Sequence, residues 1–197
     1  MDSLLSSTDE QLVALYASGN NKAFDVLLER HQQSLYGYIF YSVRNRTVAE
    51  DLFQETFIKA IATIKQGRYT ETGKFKAWLT RIAHNLIIDY FRQEQNENTI
   101  SHNQDHVDLF NDPKFSEETI ENMMVKTQTL SDVKKLICHL PESQREVLIM
   151  RYFRDMSFKE IAETTGVSIN TALGRMRYAI QNMRKMAEDH QMVLSLH

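Results

Sequence analysis

Apolar residues recur along this chain at steps of three and four. Phe24, Leu27, Leu28, His31, Leu35, Tyr38 and Ile39 make one such run, and Ala49, Leu52, Phe53, Thr56, Phe57, Ala60, Ile61 and Ile64 make a second. Phe75, Trp78, Leu79, Ile82, Ala83, Leu86, Ile87 and Tyr90 make a third, after the loop from Gly67 to Gly73. That spacing gathers each set on one face of an amphipathic helix. Ahead of them, Thr8-Asp9-Glu10-Gln11 has the capping-box form, Leu12 and Leu15 follow at helical spacing, and Gly19-Asn20 supplies a stop. A short helix and three long ones are predicted, packed as a bundle.

The pattern resumes at Leu130 with Val133, Leu136, Ile137 and Leu140, breaks at Pro141, and continues as Val147, Leu148, Tyr152 and Phe153. Ser157-Phe158-Lys159-Glu160 is a second capping box, and Ile161, Ala162 and a C-terminal Gly166 complete a short helix. Ser168 caps the next, whose apolar stripe is Ile169, Ala172, Leu173, Met176, Ile180 and Met183. Two capped helices joined by a turn containing Gly form a helix-turn-helix.

Composition agrees with an all-α chain of two small helical domains. Six Gly and two Pro in 197 residues are too few for the turns of a sandwich or barrel. A hydrophobic share of 42%, with 10 Phe and 8 Tyr, is enough for a core and excludes disorder as the ruling state. The apolar stretches are far shorter than the roughly 18 residues a bilayer requires. One Cys, Cys138, cannot close an internal disulfide and no charged-then-apolar leader opens the sequence, so a cytoplasmic protein is expected.

The net charge of −3 conceals a segregation. Residues 94–123 hold eight acids and one base, residues 59–92 hold seven bases and two acids, and residues 166–187 hold four bases and no acid. Two basic segments flanking an acidic, amide-rich stretch with Pro113 suggest two domains that touch a polyanion through separate faces. The expected division is a domain over 8–93, an acidic flexible linker over 94–123 and a helix-turn-helix domain over 124–187.

The third long helix carries Lys74, Lys76, Arg81, Asn85 and Arg92 off its apolar stripe, near Tyr69, Phe75, Trp78, Tyr90 and Phe91. Cations that track phosphates beside rings that stack on bases suit single-stranded nucleic acid. At core spacing Trp78, Tyr90 and Phe91, taken alone, read as core rather than as a stacking platform, which leaves Tyr69, in a polar loop, as the better stacking candidate. In the helix-turn-helix, Asn170, Thr171, Arg175, Arg177 and Tyr178 are the polar residues available to a major groove, where Arg pairs with guanine and Asn with adenine.

Asp51-Leu52-Phe53-Gln54-Glu55-Thr56-Phe57 resembles the D-x-x-Q-E-x-F signature of bacterial RNA polymerase sigma factors of the small, two-domain extracytoplasmic-function (ECF) type, within the sigma-70 family. Phe75 through Asn85 resembles their F-x-x-W-L-x-R-I-A-x-N signature, and Leu140-Pro141 through Arg151-Tyr152 their L-P-x-x-x-R-x-V-x-x-L-R-Y lead-in to a helix-turn-helix. The resemblance covers most of residues 8–187 but neither the acidic stretch nor the last ten residues. It implies a region 2 bundle and a region 4 helix-turn-helix in a nonenzymatic initiation factor without cofactor or metal. The implied partners are core RNA polymerase, promoter DNA as duplex and as melted non-template strand, and an anti-sigma protein.

By the same resemblance, Asp51, Gln54 and Glu55 face the polymerase clamp. Tyr69, Lys74, Trp78, Arg81 and Asn85 capture the −10 element, Asn85 on a flipped base, while Asn170, Thr171, Arg175, Arg177 and Tyr178 read the −35 element. The recognition helix departs from relatives. Thr171-Ala172-Leu173-Gly174-Arg175 stands where they commonly read T-V-(K/R)-S-R, so promoter preference does not transfer, and Gly174 suggests a backbone close to DNA or to another helix.

A ligand-sensing helix-turn-helix regulator is the competing reading; it needs only the second signature and leaves the first domain's motifs without a role. A phosphate loop at Gly67 through Lys74 fails on spacing, with Phe75 where a hydroxyl is required. His102, Asp105, His106 and Asp108 offer metal-ligand types, but in a polar stretch without Cys.

Overall fold

The computed structural model describes residues 2–70, 73–98 and 133–189, within which all regular structure is helical. An N-terminal bundle comprises α1 (Asp2–Leu5), α2 (Asp9–Ala17), α3 (Asn21–Val43), α4 (Arg46–Lys65) and α5 (Phe75–Asn98). A C-terminal unit comprises α6 (133–139), α7 (Glu142–Arg154), α8 (Phe158–Thr165) and α9 (Ile169–Asp189). The four candidate metal-ligand residues between His102 and Asp108 lie outside the described residues, as does the acidic stretch beyond Asn98. Its first residues, 94–98, continue α5.

Local chemistry sets the boundaries. The capping boxes at Thr8 with Gln11 and at Ser157 with Glu160 are both closed reciprocally, which satisfies orphan N–H groups at the starts of α2 and α8. Asn45 accepts from the Val48 N–H at 3.2 Å and opens α4, directly after Arg44 ends α3 in the left-handed region at φ 55°. Pro141 precedes α7, where a missing N–H breaks no helical bond. Gly166, at φ 68°, ends α8 in the left-handed conformation that a residue without Cβ adopts freely, and so makes the turn of the helix-turn-helix.

Leu12, Leu27, Leu35, Ile39 and Leu79 are fully buried in the bundle, as Val147 and Ile161 are in the C-terminal unit. Each such side chain contributes about 1.5–3 kcal/mol on leaving water. Three of the residues expected on the buried stripe of α9 are instead exposed: Ile169, Leu173 and Ile180. Ala172, Ala179 and Ala187 occupy the buried line, with Met176 and Met183 partly covered beside them. The smallest side chains sit at closest approach, which draws the helix in and leaves the larger flanking residues outside a unit too thin to cover them. Tyr152 is likewise exposed, because the buried line of α7 runs through Val147, Met150 and Arg154.

The two units pack directly against each other, and their buried residues form a single cluster from Leu12 to Ala172. Helix α7 lies on α3, and the approach is close at Gly37. Ring carbons of Phe153 stand 2.9 and 3.0 Å from where a Cβ on Gly37 would be. The same ring stacks on Tyr41 with centroids 5.1 Å apart. A mid-helix glycine costs roughly 0.5–1 kcal/mol against alanine; here it makes room for the other unit.

Candidate nucleic-acid interface

Helix α5 presents the first candidate face. Lys74, Arg81, Asn85 and Arg92 are exposed, and Arg81 and Asn85 stand one turn apart. Tyr69 does not stand free in its loop as the sequence suggested. Its ring lies 4.3 Å from Trp78 and 6.1 Å from Phe75, centroid to centroid, and is partly buried like that of Trp78. Phe75 packs in turn on His31, centroids 5.4 Å apart. Tyr69 and Trp78 therefore form one partly buried aromatic pair packed against the core.

Helix α9 presents the second. The Ser168 hydroxyl accepts from the Thr171 N–H at 3.0 Å and fixes the helix start. Asn170, Thr171, Arg177 and Tyr178 are exposed and, with Gly174, fall within one outward arc at helical spacing. A Cβ added at Gly174 would meet nothing within 4 Å. Among the described residues no neighbouring helix requires this glycine. Arg175 is turned inward, half-buried, with Nη1 3.9 Å from Glu146 Oε2.

Helix α4 presents the third. Asp51, Gln54 and Glu55 are exposed, and Glu55 pairs with Lys59 at 3.0 Å. On the same face stands Ile58, 63% exposed. The sequence reading missed it, although its position off the run Leu52, Phe53, Thr56, Phe57, Ala60 was a visible sign.

Between the first two faces runs the seam of the units, where Lys76 and Arg81 of the basic face meet groups that sequence reasoning did not find. Arg154, at the end of α7, is 0% exposed. It donates from Nε to Thr80 Oγ1 at 2.7 Å, from Nη1 to Ser34 Oγ at 2.6 Å and from Nη2 to the Lys76 carbonyl at 3.1 Å. Burial brings its pKa down to about 10, against the pull of Tyr38, Asp155 and Asp9. Lys76 pairs with Asp155 at 2.6 Å, and Arg81 donates to the Glu163 carbonyl at 3.1 Å. Glu146 Oε1 lies 3.3 Å from His84 Nδ1, which also lies 3.3 Å from the Tyr38 hydroxyl. A charged residue in register with Val147 and Met150 was the signal for Arg154. Among the described residues, no group of His, Cys, Asp and Glu is placed to hold a metal ion, and no helix is long and apolar enough to cross a membrane.

Comparison with known proteins agrees with this division. Residues 27–97 match the family described as Sigma-70 region 2, and residues 130–179 match Sigma-70, region 4. The chain is 30% identical over 186 residues to the ECF RNA polymerase sigma-E factor of Haemophilus influenzae, covering 92% of this chain and 94% of that one. It is 30% identical over 171 residues to the RNA polymerase sigma factor YlaC of Bacillus subtilis, covering 84% and 94%. With the ECF RNA polymerase sigma factor BldN of Streptomyces coelicolor it shares 26% identity over 181 residues, which span 91% of this chain but 66% of that protein. Among solved structures, the sigma factor RpoE of Bartonella quintana, crystallised with the anti-sigma factor NepR, superposes with a TM-score of 0.68 at 24% identity over 85% of this chain and 98% of that one, a likeness of fold.

Proposed function

From the premise that the chain belongs to the ECF RNA polymerase sigma factors, and is a nonenzymatic initiation factor that binds core polymerase and directs it to promoters, we propose how its three faces divide that work. The α4 face, Asp51, Gln54 and Glu55 around exposed Ile58, docks on the basic clamp surface of core polymerase. The α5 face captures the opened −10 element. Lys74 and Arg81 follow phosphates, the Tyr69 and Trp78 rings meet an unstacked base, and the Asn85 amide hydrogen-bonds a base edge. The outward arc of α9, Asn170, Thr171, Arg177 and Tyr178, enters the duplex at the −35 element, with Arg175 joining once released from Glu146.

The observation that carries this reading is the outward arc of α9, a capped helix with four exposed polar side chains around a glycine that nothing covers. The domain limits 8–93 and 124–187, with an acidic linker over 94–123, belong to the same proposal, as do a cytoplasmic location and an anti-sigma partner. That partner is suggested by the superposed relative, which was crystallised with one. A ligand-sensing regulator leaves the Sigma-70 region 2 match without a purpose. Reconstitution with core polymerase tests the division of labour: promoter-specific run-off transcription should require the chain and fail with changes on any one face. Sequence-specific promoter binding of equal affinity with and without core polymerase would overturn it.

A further inference from the structure

The start of α9 offers a groove less polarity than its sequence promised. The Ser168 hydroxyl lies 2.8 Å from the Thr171 hydroxyl and 3.0 Å from the Thr171 N–H, so the Thr171 oxygen is engaged by the cap. Arg175 is turned inward to Glu146, and Ala172 is fully buried. What the first two turns present outward is Asn170, the bare backbone of Gly174 and two aliphatic side chains, Ile169 at 45% exposure and Leu173 at 44%.

Ile169 and Leu173 stand one turn apart on one side of the helix. Leu173 lies in line between Asn170, three residues before it, and Arg177, four after, both exposed. The buried alanine line explains why the two aliphatics are outside; it does not explain why they are large. Position 173 is also one where the sequence departs from relatives, which commonly carry Lys or Arg there. Replacing a cation by leucine gives up a phosphate or guanine contact and gains nothing in water.

The chemistry of the groove supplies a reason. Of the four bases, only thymine shows an apolar group in the major groove, its C5 methyl, whereas cytosine shows a donor, adenine a donor and an acceptor, and guanine two acceptors. An aliphatic side chain laid on those polar edges takes water from them and returns no hydrogen bond; laid on a thymine methyl it buries hydrocarbon against hydrocarbon. The N-terminal residues of the second helix are the ones that reach base edges in this motif. At a rise of 1.5 Å per residue, Ile169 and Leu173 are about 6 Å apart along α9, on the order of two base-pair steps. Ile180, exposed on the same side, lies three turns beyond Ile169 and outside that part of the helix.

We propose that Ile169 and Leu173 determine promoter specificity by packing on thymine C5 methyl groups, so that the chain selects a −35 element with thymine, on either strand, at two nearby positions beside the base read by Asn170. The inference rests on reading α9 as the duplex-reading helix.

The test uses holoenzyme and a promoter pool randomised over the −35 element. Each thymine of the selected sequence is then replaced singly by uracil, which removes the methyl group and keeps the pairing edge. Parent holoenzyme should lose about fourfold in affinity at two of these positions, the usual effect of burying one such group. Leu173→Ala should be indifferent to uracil at one position and Ile169→Ala at the other, and Leu173→Arg should move the preference at its position toward guanine. Circular dichroism reports the fold of each variant and competition binding its affinity for core polymerase; the parent's uracil scan stands whether or not a variant folds. A selected element without thymine, or parent affinity unchanged by uracil throughout, overturns the proposal. If Asn170→Ala still alters the −35 preference in that case, α9 remains the duplex reader and the methyl contact alone is wrong. Weakened core binding by Leu173→Ala, with uracil sensitivity like the parent's, also overturns it and makes this side of α9 a polymerase contact. Promoter choice indifferent to Asn170→Ala, Arg177→Ala and Leu173→Ala alike would overturn the reading of α9 itself.

Discussion

The carboxylate of Glu146 on α7 stands 3.3 Å from Nδ1 of His84 on α5, across the seam between the two units. The spacing is that of an ion pair, but the titration of both groups runs the other way. Burial pushes Glu146 up to about 7, with Arg175 and Arg145 drawing it down and Glu142 adding to the rise. Burial, and then the charge of Arg81, pulls His84 below its ordinary 6.5. Desolvation outweighs attraction at this site, and near neutrality the contact is a hydrogen bond made around a single proton.

The sign of the pH effect follows. Glu146, raised on packing, contributes stability that is fully present below the ordinary carboxylate value of 4.5 and is lost as pH climbs through about 7. His84, depressed on packing, contributes above 6.5 and loses that contribution as pH falls. Most of the Glu146 loss falls between the ordinary value of 4.5 and about 7, and near pH 6 to 7 the rising His84 contribution offsets part of it. The parent protein should therefore lose no more than about 1 kcal/mol of stability between about pH 6 and about pH 8, and Glu146→Gln should remove that loss and leave only the His84 rise. Thermal melts across the range check it; a parent with the same pH dependence as the variant would contradict the assignment.

The helix boundaries were legible because capping is local chemistry: Thr8 with Gln11, Ser157 with Glu160 and Ser168 with Thr171 are each four-residue events written in adjacent letters. The seam was not. Periodicity reports that a helix has a buried face and is silent on which neighbour covers it, so α3 read as the core of one bundle although Gly37 and Tyr41 serve α7. Charge counting had the same blind spot. Lys76 and Arg81 were counted on an open basic face, yet both are engaged by the other unit through Asp155 and Glu163. Arg154 is the sharpest case, a cation at an apolar register position whose partners lie 74 to 120 residues earlier in the chain.

Gly174 separates helix stability from DNA contact. A Cβ there meets open space, so Gly174→Ala should stabilise the chain by roughly 0.5–1 kcal/mol, the ordinary gain of replacing a helical glycine. If the bare backbone at the centre of the outward arc lies against the −35 duplex, the same change should weaken holoenzyme binding to that element. Denaturant unfolding and fluorescence anisotropy give the two numbers. A gain in stability with no change in promoter affinity would show that the glycine is not a DNA contact.

Ile58 tests the polymerase face. It is 63% exposed, so Ile58→Ser should leave stability within about 0.5 kcal/mol of the parent, the usual range for a surface change. A large apolar residue ringed by Asp51, Gln54 and Glu55 has the arrangement of an interface anchor with a polar rim, and its loss should weaken binding to core polymerase by about tenfold. Glu55→Lys should weaken binding further by reversing the charge shown to a basic clamp. Competition binding with labelled parent protein is the measurement, and undiminished affinity in both variants would mean that α4 is not the docking face.

Asn85 and Arg175 should fail at different steps, which separates duplex reading from strand capture. Arg175 lies half-buried beside Glu146 in the closed chain, and in holoenzyme it is expected at the duplex. Arg175→Ala should therefore weaken initial promoter binding, by roughly 1–3 kcal/mol if the contact is bidentate to a guanine, and relax preference at the −35 element. Asn85 is exposed one turn beyond Arg81 on α5, where a splayed base has room to reach its amide. Asn85→Ala should leave duplex binding nearly unchanged and reduce the stable open complex. A template already mismatched across the −10 element should not rescue it, because the missing hydrogen bond is to the exposed base and not to the act of melting. Permanganate footprinting on duplex and bubble templates measures the opened population in each case. Parent levels of reactivity on both templates would make Asn85 a solvated amide and leave strand capture to the Tyr69 and Trp78 pair and the cations beside it.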